Sequence, residues 1–277
     1  MKPQAASAQI LTREVFEWMA AQTAAGHSEE TIFQAMLDAG WNVDSATRAL
    51  QMLMESLRVL PVPALALPVT GGMVDAGDKW VQVIHQSASP DILVLASLLS
   101  ESECDALIEE ARPRLSRSLT VDTRTGGEEV NPARTSDGMF YTRGETDVVR
   151  RIEARIARLL GWPQQNGEGL QVLCYGPGDQ YKPHYDYFDP VEAGTPAILQ
   201  RGGQRVATLI MYLKEPEKGG ATVFPSVKVS VAPKRGNAVF FSYPRAHPSS
   251  RTLHGGDPVI AGEKWIATKW LREKEFI

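Results

Sequence analysis

Helical periodicity dominates the first 60 residues of the chain. Apolar residues recur every three or four positions over 10–23, over 28–40 and again over 42–57, the spacing that places them on one face of an amphipathic helix. Ser28 precedes the second segment and is a residue type that caps helix N-termini. The pattern predicts a small all-α bundle over residues 1–60.

A Pro- and Gly-rich segment follows over residues 61–88. Pro61, Pro63 and Pro68 favour extended backbone, which is typical of a linker. The segment is too apolar for a fully solvated tether, so we expect part of it to lie against the next domain.

The remaining region, residues 89–277, alternates apolar and polar positions and contains two helical segments. Ser100 and Glu103 have the spacing of a capping box ahead of one helix, and apolar residues over 149–160 indicate another. Strands are predicted over 170–175, 206–213, 227–231, 238–243, 252–254 and 264–271. Many short strands joined by Gly and Pro turns favour a jelly roll. The predicted fold class is α+β, a double-stranded β-helix with flanking helices, preceded by the all-α bundle.

Composition and charge exclude several classes of partner. The chain has 29 Lys and Arg against 33 Asp and Glu, a net charge of −4, so no basic field is available to bind nucleic acid. The two cysteines lack the spacing of a zinc site and form no disulfide framework. Because no segment approaches the roughly 20 apolar residues that span a bilayer, and Arg13 and Glu14 interrupt any leader peptide, we expect a cytoplasmic protein without a membrane partner.

Two histidines and a carboxylate form the most informative motif. His184 and Asp186 are two positions apart, so in an extended strand they project from the same side. His254 occurs later, before Gly255 and Gly256, as expected at a strand end that enters a turn. Two histidines and one carboxylate on one face of a metal ion are the ligands of non-haem Fe(II) oxygenases.

Residues 264–271 read as a strand that returns antiparallel to the strand carrying His254. Its period of two places Lys264, Ile266, Thr268 and Trp270 on one face and Trp265, Ala267, Lys269 and Leu271 on the other. If the face of Lys264 lines the barrel, its ammonium needs a partner, because a buried unpaired charge is costly. A dicarboxylate cosubstrate would supply that partner.

These residues together resemble the prolyl 4-hydroxylase branch of the 2-oxoglutarate- and Fe(II)-dependent dioxygenases. The likeness rests on HxD, the distal His254 and the Lys ten residues after it, and extends to LQVLCYGPGDQYKPHYDYF, RVATLIMYLKEPEKGGATVFP and KWIATKWLRE. It covers roughly residues 89–277. His247 is the alternative third ligand, but it lies between Pro244 and Pro248, which favours a loop, and its distance from Lys264 does not fit the family pattern.

The resemblance implies roles for individual residues. His184, Asp186 and His254 would bind iron, and Lys264 would pair with the distal carboxylate of 2-oxoglutarate. The remaining assignments are Tyr175, Thr222 and Trp270 in the cosubstrate pocket, and Tyr181 and Arg134 at the substrate. By the same resemblance, the polar loop 122–138 would fold over a bound peptide. The loop 189–203, which directly follows HxD, is a candidate for a second lip, and the alternative for both is an ordinary surface loop.

The implied activity is hydroxylation, with O2 as oxidant, release of succinate and CO2, and ascorbate as a candidate reductant. The expected substrate is a prolyl residue in a peptide or protein, and a free amino acid or other small molecule is the alternative. A non-catalytic adaptor or sensor is a third hypothesis, since residues 31–50 resemble a ubiquitin-associated-like module. A homo-oligomer is left open.

Overall fold

The computed structural model describes residues 9–67, 69–129 and 131–277. Residues 1–8 of the predicted bundle, Pro68 of the linker and Val130 of the first polar loop lie outside the described residues. The described helices are all too short or too polar to span a lipid bilayer.

Helices and strands are numbered in chain order. The helices are α1 (Arg13–Ala24), α2 (Glu29–Asp38), α3 (Val43–Leu57), α4 (Glu101–Ala111), α5 (Asp147–Leu160) and α6 (Thr195–Leu199). The strands are β1 (Met73–Asp75), β2 (Trp80–Ala88), β3 (Asp91–Ala96), β4 (Ser116–Arg117), β5 (Thr120–Val121), β6 (Glu128–Glu129), β7 (Asp137–Phe140), β8 (Gln171–Tyr175), β9 (Tyr181–His184), β10 (Arg205–Lys214), β11 (Lys218–Gly219), β12 (Thr222–Phe224), β13 (Val229–Val231), β14 (Ala238–Ser242), β15 (His254–Gly256), β16 (Val259–Ala261) and β17 (Lys264–Arg272).

Helices α1, α2 and α3 occupy the three segments in which periodicity predicts them. Each begins after a polar side chain, Thr12, Ser28 or Asn42, that accepts a hydrogen bond from a backbone amide of the first turn. Their apolar faces meet in a core of their own, which contains Phe16, Met19, Ile32, Met36, Ala46, Ala49, Leu50 and Leu53.

Two large antiparallel sheets form most of the rest of the molecule, together with two two-stranded sheets, β11-β16 and β5-β6. The larger has nine strands in the order β1-β2-β3-β14-β10-β17-β8-β7-β4, and the smaller has four in the order β13-β12-β15-β9. Apolar side chains from both sheets meet in one cluster, with Tyr175, Ile210 and Ile266 from the larger and Phe224 and Val231 from the smaller. Helices α4 and α5 cover the opposite face of the larger sheet. This arrangement is consistent with the predicted double-stranded β-helix.

The predicted linker is wrong for its second half. Residues 73–75 and 80–88 form β1 and β2, which extend the larger sheet beyond β3. Along β2 only Val81 is fully buried, so the alternation that marks a strand is weak. Backbone hydrogen bonds to β3 hold this strand in place. The order of apolar and polar residues along the chain does not reveal such bonds.

The predicted pairing of the His254 and Lys264 strands is also wrong. β15 belongs to the smaller sheet, between β12 and β9, whereas β17 lies in the larger sheet between β10 and β8. The chain crosses between the sheets through β16 and a turn at Gly262, whose φ of +78° favours glycine. The bounds shift as well, since the predicted 252–254 strand begins at His254 and the predicted 227–231 strand begins at Val229.

Lys269 lies on the face of β17 opposite to Lys264, as the period of two predicts. Its ammonium is buried and donates to the carboxylate of Glu153 on α5 and to the carbonyl of Glu168. The side chains of Lys269 and Glu153 are at most 2% exposed. Burial lowers the pKa of Lys269, and the charge of Glu153 opposes that effect.

We expect Glu153→Ala to lower the free energy of unfolding by about 3–5 kcal/mol, because it leaves the Lys269 ammonium buried without its carboxylate. Urea denaturation followed by circular dichroism measures the change. Asp147→Ala on the same helix is the control, since Asp147 pairs with Arg150 at the surface and its loss should leave the midpoint nearly unchanged. Equal midpoints for the two variants would contradict a structural role for the buried pair.

Candidate active site

The pairing of β9 with β15 brings the two predicted histidines together. His184 lies opposite His254 in this antiparallel pair, and the centres of their rings are 4.4 Å apart. Asp186 follows in the bend after β9, with its carboxylate oxygens 3.4 Å from His184 Nε2 and 3.5 Å from His254 Nε2. The three side chains offer ligand atoms that all lie within 4.8 Å of one another.

Backbone carbonyls orient both imidazoles. His184 Nδ1 lies 2.9 Å from the carbonyl oxygen of Lys182, and His254 Nδ1 lies 3.0 Å from that of Thr252. A ring nitrogen that meets a carbonyl oxygen must carry the proton, so in the neutral form of each ring Nε2, which lies beside Asp186, is the nitrogen free to bind a metal ion. This is the arrangement by which proteins prepare histidine to bind a metal ion.

The ionisation states also suit a metal ion. Burial would raise the pKa of Asp186, but interactions with His254, His184 and Arg205 outweigh it and hold that pKa well below its ordinary value. Burial lowers the pKa of His254 to about 4, with Asp186 opposing. Near neutral pH the cluster therefore offers a carboxylate and a neutral imidazole, the forms that coordinate metals. Two nitrogens and one carboxylate oxygen fit Fe(II).

His247, the alternative third ligand, is not part of this cluster. It precedes a short turn in which its Nδ1 accepts a hydrogen bond from the amide of Ser249. Its ring lies 6.4 Å from the ring of Phe16 on α1. His247 therefore lies where the N-terminal helices meet the sheets, and it is not one of the metal ligands.

Lys264 is buried, with 3% of its surface exposed, and faces the same cavity as Ile266, Thr268 and Trp270. The predicted face of β17 is thereby confirmed. Its Nζ lies 5.5 Å from the centre of the Tyr175 ring, and no residue that the structure describes forms a hydrogen bond or an ion pair with it. Burial lowers its pKa to about 8, with the charge of Asp257 opposing.

A narrow cavity of about 40 Å³ connects Lys264 with the histidines and Asp186. The predicted cosubstrate residues Tyr175, Thr222 and Trp270 all line it. Trp270, which lines this cavity, has a buried Nε1 that meets no hydrogen-bond acceptor among the described residues. An unpaired ammonium and a free indole N–H suit an anionic ligand.

An outer cleft of about 250 Å³ adjoins the narrow cavity and shares five lining residues with it: Arg134, Tyr181, His184, Asp186 and Trp270. Tyr181 stacks on His184 with ring centres 3.6 Å apart. The Arg134 guanidinium lies 5.3 Å from the Tyr181 ring and donates to Gln171 Oε1 at 2.8 Å. Arg134 is only 4% exposed, so most of its side chain packs against neighbouring residues of the cleft wall.

The two polar loops contain more regular structure than their sequences indicate. The first, 122–138, includes β6, which pairs with β5 in a hairpin, and the start of β7. The second, 189–203, includes α6. Backbone hydrogen bonds form the hairpin, and the pattern of apolar and polar side chains does not indicate such bonds in a polar sequence.

Sequence analysis missed the residues that hold the metal ligands in place. Thr208 donates a hydrogen bond of 2.6 Å to Asp186 Oδ2, and its oxygen lies 2.9 Å from the hydroxyl of Tyr243. Arg205 forms a two-pronged ion pair with Glu168 at 2.7 and 2.8 Å. Thr208 is the one hydroxyl within the apolar run 206–211, a signal that could have found it, because a buried hydroxyl needs a partner.

The chain is similar in sequence to known proteins. Residues 170–272 match the model of the 2OG-Fe(II) oxygenase superfamily. Prolyl 4-hydroxylase 5 of Arabidopsis thaliana is 41% identical over 221 residues, which cover 72% of this chain and 74% of the relative. Prolyl 4-hydroxylase 1 of the same plant is 45% identical over 205 residues, covering 68% and 71%.

A solved structure is also similar to this chain. The viral collagen prolyl hydroxylase from Paramecium Bursaria Chlorella virus-1, in its 2OG complex, superposes with a TM-score of 0.52 at 32% sequence identity. The match covers 65% of this chain and 95% of the viral protein.

We expect His184→Ala and Asp186→Ala to abolish binding of Co(II), a redox-stable substitute for Fe(II), because each removes one of three ligands. Thr208→Val should weaken binding by about 10- to 100-fold, the usual effect of losing a group that orients a metal ligand. Isothermal titration calorimetry measures all three. His247→Ala is the control, and a loss of Co(II) affinity in that variant would contradict the assignment of His254.

Proposed function

Because this chain belongs to the prolyl 4-hydroxylases of the 2OG-Fe(II) oxygenase superfamily, we propose that it hydroxylates a prolyl residue in a peptide or protein. The reaction consumes 2-oxoglutarate and O2 and releases succinate and CO2. Fe(II) is the metal that the family implies.

One observation carries this proposal: the unpaired, buried Lys264 ammonium shares a narrow cavity with the histidine and aspartate ligands. Burial disfavours the charged form of such an amine, and a carboxylate bound beside it would favour that form. A ligand with an acidic group at each end could pair with Lys264 at one end and bind a metal ion held by His184, Asp186 and His254 at the other. 2-Oxoglutarate has that chemistry.

Each residue then has a definite task. The bound iron and 2-oxoglutarate together supply the oxidation. His184, Asp186 and His254 hold the metal, and Thr208 fixes the carboxylate of Asp186. Lys264 binds the distal carboxylate of the cosubstrate, beside Tyr175 and Thr222, whose hydroxyl accepts a hydrogen bond from Tyr212 at 2.8 Å.

The outer cleft suits a proline-containing peptide. Aromatic side chains of Phe140, Tyr181, Tyr185, Tyr187, Phe188 and Trp270 line it, and aromatic grooves are a common way to bind extended proline-rich segments. Tyr181 and Arg134 remain our candidates for substrate contact. The cleft adjoins the metal ligands, so a bound prolyl ring would lie next to them.

Further proposals concern the domain organisation, the cellular location, the reductant and the oligomeric state. We propose that α1–α3 form a separate module, joined by a linker that ends before β1. A cytoplasmic location, ascorbate as reductant and a homo-oligomer remain predictions. Fractionation of cells that express the tagged protein tests the first, and light scattering tests the last.

The direct test is succinate formation from 2-oxoglutarate with Fe(II), O2 and a panel of proline-containing peptides. We expect turnover that peptide stimulates and a peptide product one oxygen atom heavier by mass spectrometry. His184→Ala is the inactive control. Turnover stimulated only by free amino acids would favour the small-molecule alternative, and complete inactivity of the iron-loaded protein would favour an adaptor.

We expect the affinity for 2-oxoglutarate to fall as pH rises above about 8. Only the protonated amine of Lys264 pairs with a carboxylate, and burial lowers the pKa of this amine to about 8. The loss should approach about tenfold per pH unit when one proton is linked to binding. Calorimetric titration of the Co(II)-loaded protein between pH 7 and pH 9.5 measures it.

Lys264→Arg is the matched control for this pH dependence. A guanidinium stays charged over the whole range, so its affinity, although weakened by the change of shape, should not vary with pH. A parallel decline in both proteins would contradict the role of Lys264.

A further inference from the structure

The N-terminal helices contact the two chain segments that leave the metal site. Residues 187–192 follow the ligand Asp186, and residues 244–247 follow Tyr243, whose hydroxyl meets Thr208. We infer that Arg13 on α1 is a positioning residue for peptide binding, which acts by holding the wall of the outer cleft in place. This inference rests on the proposed function and assigns the helices a part in it.

The first contact joins α1 to the segment 189–199, which we call the lip. Arg13 Nη2 lies 2.8 Å from Asp189 Oδ2 and 3.5 Å from Glu192 Oε1. Val191, between those two acids, packs against the apolar core of α1–α3. The lip is therefore attached to the helices by both charge and apolar contact.

Asp189 also organises the lip itself. Its other carboxylate oxygen accepts a hydrogen bond of 3.0 Å from the amide of Val191, and its carbonyl oxygen accepts one of 2.6 Å from Thr195 Oγ1 at the start of α6. A shift of Asp189 would consequently move both the apolar anchor and the helix that follows.

The lip in turn supports the β5–β6 hairpin, residues 119–129, which we call the flap. The amide of Gly194 donates a hydrogen bond of 2.8 Å to the carbonyl of Thr123. A Cβ atom on Gly194 would lie 2.4 Å from the amide nitrogen of Gly126 and 2.7 Å from the Thr123 oxygen. The two backbones are thus packed so closely that no side chain fits between them.

The flap forms one wall of the outer cleft through Leu119, Thr120, Val121, Thr123 and Glu129. Direct contacts therefore run from Arg13 through the lip and the flap to the place where a peptide would bind. The narrow cavity of 2-oxoglutarate has no lining residue from the lip or the flap. Loosening this path should affect the peptide and spare the cosubstrate.

Arg58 provides a matched control on the same set of helices. Its guanidinium pairs with Glu273 at 3.0 Å and with Glu55, which attaches the end of α3 to the sheets. It has no described ion pair or hydrogen bond with the lip. Arg13 and Arg58 have similar exposure, 53% and 41% of the side chain, so both substitutions break a surface pair of ordinary strength.

The test uses the full-length, iron-loaded protein and the most active peptide of the panel. Arg13→Ala should raise the KM for peptide about two- to fivefold, the range expected for an exposed ion pair, and leave kcat and the KM for 2-oxoglutarate unchanged. Arg13→Lys should restore the wild-type KM because it keeps the charge. Arg58→Ala should leave all three constants at wild-type values.

Gly194→Ala should raise the peptide KM further, since the new methyl group forces lip and flap apart without changing charge. An unchanged peptide KM in Arg13→Ala would overturn the inference. So would an equal rise in Arg58→Ala, because it would mean that attachment of the helices in general, rather than the Arg13–Asp189 pair, determines the effect.

Hydrogen–deuterium exchange gives a second measurement that does not depend on activity. Amides of 119–129 and 189–199 should exchange faster in Arg13→Ala than in wild type or Arg58→Ala, since local opening becomes easier. Equal exchange rates would overturn the inference. A wild-type protein that turns over no peptide would refute the proposed function, and this exchange experiment would still decide whether Arg13 holds the lip and the flap.

Discussion

The register of β9 against β15 is the constraint on which the site depends. Because His184 lies directly opposite His254 in this pair, two residues distant in sequence present their imidazoles to one point. A slip of one residue would turn one ring to the other face of the small sheet. The strands next to this pair maintain the register, since β15 also pairs with β12 and the cluster between the two sheets covers one face of the pair.

Several buried cations in the protein interior are neutralised by a nearby carboxylate. Arg155 is paired with Glu103 and Asp78, Lys269 with Glu153, and Arg205 with Glu168, so each of these cations has a protein carboxylate within reach. Lys264 differs, because its ammonium is equally buried yet has no such partner among the described residues. Natural proteins rarely keep a buried cation in this state without a ligand to neutralise it. Arg134 is also buried and has no carboxylate partner among the described residues, but its guanidinium donates to Gln171 Oε1 and Ser136 Oγ. The Lys264 ammonium makes no such hydrogen bond with those residues, and this contrast supports our proposal that Lys264 binds the cosubstrate.

The surroundings of the site combine rigid and adjustable parts. The metal ligands lie on or next to strands, and their orientation is fixed by backbone carbonyls and Thr208. The outer cleft is instead bounded on one side by the flap, which rests on the lip, and the lip contacts the N-terminal helices. Rigid ligands favour a defined metal geometry, whereas loops that close over a substrate must be able to open.

Local patterns in the sequence determined much of this protein. The two faces of the 264–271 strand depend only on backbone periodicity, and capping by Ser28 and Ser100 depends only on residues within one helical turn; the structure agrees with both. The side chains of His184 and Asp186 also lie together as their spacing predicts, although Asp186 lies in a bend after β9 rather than on the strand. Tertiary structure alone decided which strands are neighbours, so the sequence misplaced the partner of the His254 strand and missed β1 and β2. It also placed Thr208 beside Asp186, Tyr243 beside Thr208 and Arg13 beside Asp189. These features depend on backbone pairing and contacts between distant residues, which side-chain order along one strand or helix does not record.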